Sequence, residues 1–132
     1  MPAGQRTVEA ELAKGNVAVV LFWNPNGADD VIVHRELQLL VHVHHKIQPF
    51  EGNPVVKRLL KVFGLELDKK IAVTEAPSSA AASYGSITRS IQVYGTPTLL
   101  MIDKQGKTIV LTGLQDAFSM EQAIDEARNA SS

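Results

Sequence analysis

Apolar and polar positions alternate along this chain in blocks whose period changes, and the changes mark its elements. Val8 and Leu12 stand one helical turn apart, so the spacing predicts a short amphipathic helix over Thr7–Lys14, closed by Gly15-Asn16. Val17-Ala18-Val19-Val20-Leu21-Phe22-Trp23 follows without a polar break. A run so rich in β-branched and aromatic residues predicts a strand covered on both faces, hence the centre of a sheet. Asn24-Pro25-Asn26-Gly27 is a turn, and Asp29 and Asp30 open a long helix reaching about His45. Its stripe of Val33, Leu37, Leu40, Val41 and His44 would pack on the strand. After a loop over residues 48–53, Val55, Val56, Leu59, Leu60 and Phe63 predict a second amphipathic helix, ended by Gly64 with Leu65 folded back on Leu60. Ile71–Thr74 reads as a short strand reached by a helical crossover, hence parallel to the first. A helix over about 78–92, two strands at Thr98–Ile102 and Thr108–Thr112 joined by Asp103-Lys104-Gln105-Gly106, and a closing helix capped by Ser119 complete the order.

Composition narrows the chemistry. The chain has 132 residues, a size expected to form a single α/β domain over residues 1–132 without needing a disulfide or metal to fold. Thirteen Lys+Arg nearly cancel fourteen Asp+Glu, and no block of five like charges occurs, so neither nucleic acid nor membrane contact is expected of the chain itself. The apolar run ending at Trp23 is far shorter than a membrane span, and no signal peptide is apparent at the N-terminus; the compartment stays open. With no cysteine, thiol nucleophiles, disulfide exchange, thiolate zinc sites and iron–sulfur clusters are all excluded. No cofactor is expected.

Three segments carry a resemblance. Tyr94-Gly95-Thr96-Pro97-Thr98-Leu99-Leu100-Met101-Ile102, continuing to Gly106, resembles the segment of the thioredoxin-like family in which a cis-proline precedes an apolar strand and hairpin. Val19–Trp23 resembles that family's central strand, and Gly113-Leu114 through Ala127 its last strand exit and closing helix. The resemblance implies a thioredoxin-like fold: a four-stranded mixed sheet flanked by helices, with residues about 46–69 as a helical insertion in the first crossover. Aligning Phe22-Trp23 places the family's two redox cysteines at Gly27 and Asp30, and its buried carboxylate before the Phe at Leu21. A whole rewritten turn, rather than two point replacements, implies a naturally redox-inactive member. The resemblance also implies a cis bond before Pro97 and an extended peptide pairing with the backbone of Thr96, although Pro97 could equally just shape the turn into the hairpin.

Each candidate constellation has a structural explanation beside its functional one. Asp29 and Asp30 could act as general acid and base, but a helix N-terminus favours charged carboxylates, whereas such catalysis near neutrality needs the charged form disfavoured. Capping, with acidic groups left to attract basic partners, is the better reading. His34, His42, His44 and His45 share one helix; at about 1.5 Å rise per residue, His34 and His42 stand roughly 12 Å apart, too far to share a metal ion. His42 and His45 could supply two ligands without an obvious third. The serines form no nucleophile elbow, and the scattered Gly85, Gly95 and Gly106 no phosphate loop. The expected function is therefore a non-enzymatic module binding an extended peptide or protein segment through Trp23, Asn26, Gly27, Asp29, Asp30, Tyr94, Thr96 and Pro97. The alternative is a structural or assembly domain of a larger, possibly membrane-anchored protein, interacting through the 46–69 segment as a monomer or weak homodimer.

Overall fold

The computed structural model describes residues 3–47, 53–62, 71–89, 95–103 and 107–129. Helix α1 (Ala3–Ala13) leads into strand β1 (Val17–Phe22), helices α2 (Ala28–Ile47) and α3 (Pro54–Val62), and strand β2 (Ile71–Ala76). A 3-10 helix (Ser78–Tyr84), helix α4 (Ser86–Arg89), strands β3 (Thr98–Ile102) and β4 (Thr108–Thr112), and helix α5 (Ala117–Asn129) follow. The sheet runs in the order β2-β1-β3-β4. β1 lies parallel to β2 (Val17 opposite Ile71) and antiparallel to β3 (Val20 opposite Leu100), and β3 lies antiparallel to β4 (Leu100 opposite Val110).

The unbroken apolar run of β1 serves two cores, because successive side chains of a strand leave opposite faces. Val17, Val19 and Leu21, with Leu99 and Met101 of β3, pack under Val33, Leu37 and Leu40 of α2 and Met120 and Ile124 of α5. Ala18, Val20 and Phe22, with Leu100 and Ile102, meet Val8 of α1 and Tyr84 on the other face. The Phe22 and Tyr84 rings meet edge-on, centroids 5.4 Å apart. Both faces of β1 are buried throughout, as expected of a central strand.

Element boundaries differ from the sequence expectation in four places. α1 begins at Ala3 because its first turns are tied down: Thr7 Oγ1 donates to the Ala3 carbonyl, and the Gln5 side chain bonds both the hydroxyl and the backbone N–H of Ser86. β2 runs on to Ala76, since its pairing with β1 continues to Phe22. The expected helix over 78–92 is interrupted at Gly85, whose φ of 56° neither a 3-10 nor an α-helix can absorb, leaving two short pieces among the described residues. α5 starts at Ala117, ahead of Ser119. Its cap is Asp116, whose Oδ1 accepts the Ser119 N–H at 2.7 Å. The Gly64–Leu65 cap, the hairpin tip over 104–106 and the end of the 78–92 segment lie outside the described residues. The hairpin is nonetheless closed at its base, where the Asp103 N–H donates to the Lys107 carbonyl and the Asp103 side chain accepts the Lys107 N–H.

Candidate functional site

The carboxyl end of β1 gathers most of the residues singled out in the sequence. Phe22 is opposite Thr98 of β3 and Ala76 of β2, so the chain leaving β1 emerges between Pro97 on one side and Pro77 on the other. Trp23 still belongs to the sheet through its N–H, which donates to the Ala76 carbonyl at 3.0 Å. Its half-buried indole lies flat on the His34 ring, centroids 4.0 Å apart and planes within 3°.

Beyond Trp23 the turn is held by its own side chains. Asn24 Oδ1 accepts the Asn26 N–H at 2.9 Å, and the Asn24 carbonyl accepts the Gly27 N–H at 2.9 Å. This is why an asparagine stands at position 24: its side-chain amide substitutes for a missing backbone partner. The Gly27 carbonyl then accepts the first α2 bond, from Val31. Asp30, in the first turn of α2, bends back so that its Oδ2 accepts the Asn24 N–H at 2.8 Å. That carboxylate lies directly over Gly27. A Cβ at position 27 would run into it, only 2.8 Å from Cγ. The pair is complementary in shape: the missing side chain at 27 makes room for the group at 30.

This geometry corrects one expectation. Asp30 is 5% exposed and committed to the turn, so it is neither a free acid or base nor an exposed anion for a basic partner. Nor does it cap a free N–H of the first helical turn; it fastens the segment that precedes the helix. Asp29 is exposed.

Facing the turn, the Thr96–Pro97 peptide bond is cis. Pro97 is buried and its carbonyl accepts the Gly113 N–H at 3.0 Å, while Thr98 Oγ1 donates to the Gly95 carbonyl at 2.7 Å. Both ends of the segment are therefore anchored. Between them Thr96 is partly exposed, and among the described residues its backbone N–H and carbonyl enter no backbone hydrogen bond. Gly95 is exposed, with open space where a Cβ would stand. Of the expected site residues, Trp23, Asn26, Gly27, Asp29, Thr96 and Pro97 thus come to one end of the sheet, Asp30 lies beneath them, and Tyr94 falls outside the described residues.

Two neighbours of the site carried no signal in the pattern of apolar residues. His34 Nδ1 comes within 2.9 Å of Glu75 Oε2 on β2, an ion-pair distance when the imidazole is protonated but without the alignment of a hydrogen bond. His34 follows Asp30 by one turn, which is the only sequence clue that it would face the end of β1. Below it, an open groove lined by Leu37, Gln38, Val41, His42, Val73 and Glu75 runs between α2 and the outer strand β2. Among the described residues no three His, Asp or Glu side chains are grouped to hold a metal ion.

No protein-family model matches the chain, and no curated protein sequence is significantly similar to it. Among solved structures it is similar to chloroplastic thioredoxin z, whose crystal structure is described as defining a novel type-specific target recognition. The two superpose with a TM-score of 0.56 over 98% of this chain and 92% of the other, at 13% sequence identity. The likeness, with the mixed four-stranded sheet, establishes a thioredoxin-like fold and nothing finer.

Proposed function

We propose that this chain is a redox-inactive thioredoxin-like module that binds an extended peptide or protein segment across the exposed turn over residues 24–29 and the backbone of Thr96. Disulfide exchange proceeds by attack of a thiolate on sulfur, and a chain without cysteine has no group to make that attack. The observation that carries the reading is the interlock of Gly27 and Asp30. Where the resemblance places two reactive thiols, a glycine and a carboxylate fill one another's space, holding the turn in shape without chemistry. Among the described residues nothing in the backbone pairs with the Thr96 N–H and carbonyl, which supports their use as donor and acceptor for an added strand. Asp29, exposed in the first turn of α2, favours a segment with a basic residue.

Trp23 is the single tryptophan and lies at this end of the sheet, so its fluorescence reports occupancy directly. Titration with extended peptides of matched sequence, carrying either a central Lys or a central Glu, is expected to give saturable changes with the Lys series binding more tightly. The preference should shrink in Asp29→Asn. Absence of any saturable change across both series contradicts the proposal.

A further inference from the structure

α3 combines two features that a helix on a water-facing surface does not ordinarily combine. Its described apolar residues are exposed: Val55, Leu59 and Val62, at i, i+4 and i+7, are 66%, 52% and 76% accessible. Its charges are all of one sign. Residues 52–65 contain Lys57, Arg58 and Lys61 and no acid, a local charge of +3 in a chain whose net charge is −1. At 3.6 residues per turn, positions 55, 56, 59, 60 and 62 fall on an arc of about 160°, and positions 57, 58 and 61 on a separate arc of about 100°. A solvated helix usually mixes signs so that i,i+4 pairs attract, whereas positions 57 and 61 put like charges at that spacing, which destabilises the helix. Both features become favourable on an anionic lipid surface, where apolar side chains leave water and cations meet fixed anions.

We infer that α3 is an interfacial helix that lays its apolar arc into an anionic lipid surface. The balanced charge of the whole chain, which argues against membrane contact, conceals this local segregation. Among the described residues no helix is long and apolar enough to cross a membrane, so the contact is with the interface alone. A helix of nine residues offers little area, and binding through it should be weak and reversible.

The test is co-sedimentation of the full chain with vesicles of phosphatidylcholine alone or with about one-third phosphatidylglycerol, at low and high salt, alongside light scattering of the free protein. The expected result is binding to the anionic vesicles only, reduced at least severalfold by high salt, and lost in both Val62→Glu and Lys57→Glu/Lys61→Glu. Because Val62 is exposed and no described residue of α3 belongs to either core, these variants should keep the parent's circular dichroism and melting temperature. Equal binding to neutral vesicles, or none to either, overturns the inference. So does the appearance of a dimer in place of vesicle binding, abolished by Val62→Glu, which would assign the apolar arc to a second copy.

Discussion

At position 27 the absence of a side chain is what lets Asp30 reach the Asn24 N–H, so the two residues should be energetically coupled. Gly27→Ala is expected to cost about 1–3 kcal/mol by overpacking, and Asp30→Ala a similar amount, about 1–3 kcal/mol, by leaving the Asn24 N–H without its acceptor. Once the methyl group introduced by Gly27→Ala has displaced the carboxylate, removing that carboxylate costs less. The double variant should therefore be more stable than the sum predicts, with a coupling of about 0.5–3 kcal/mol in chemical denaturation. Additive losses would show that the two do not share the space. Asp116 supplies a pH-dependent contribution. The Ser119 N–H holds its carboxyl below the ordinary aspartate range, so the stabilisation is complete above the unfolded value and disappears as pH falls through the lower folded one. Asp116→Asn, which caps without titrating, should flatten the acid limb of the melting temperature below about pH 4, whereas Asp116→Ala should lower the melting temperature at neutral pH. Identical acid limbs for parent and Asp116→Asn would remove this role.

Among the elements, those carrying an uninterrupted apolar signal were the ones the sequence made legible. β1, β3, β4 and α2 announce themselves because burial on one or both faces demands regular apolar positions, and that demand is written in the residues themselves. The misread elements were decided by other contacts. α1 gains its first turn from Ser86, 81 residues beyond Gln5, and α5 begins after Asp116, although Ser119 offers an equally good local cap, because the Asp116 carboxylate takes the Ser119 N–H. The 78–92 segment is rich in helix-compatible Ser and Ala, yet Gly85 at φ 56° and ψ −123° turns the chain between its two pieces. An L residue there is strained by about 1–3 kcal/mol, so Gly85→Ala should lower the melting temperature by several degrees. An unchanged melting temperature would mean that the break is not imposed by the backbone. The placement of the candidate site residues was legible to the same degree. Trp23, the 24–27 turn, Thr96 and Pro97 could be placed from the resemblance, but the inward commitment of Asp30 and the stacking of His34 on Trp23 depend on how α2 is rotated over β1, which spacing alone does not fix.

On the scale of the whole molecule, a sheet whose two central strands are buried on both faces presents the end of β1 beside a turn packed by its own side chains. The two loops that meet there are anchored on either side, by the Asn24–Asp30 bond and by the Pro97–Gly113 and Thr98–Gly95 bonds, and Thr96 stands between the latter two. In the proposed reading such a surface would gain affinity by pre-organisation, since little ordering remains to be done when a strand is added. Amide-resolved titration of the uniformly labelled chain with the Lys-bearing extended peptide is the most direct measurement of this account. It predicts that the amides of Gly27, Ala28, Asp29 and Thr96 shift in one saturable process while those of the β4 face stay fixed. Shifts confined to other surfaces, with those four unmoved at saturation, would contradict it.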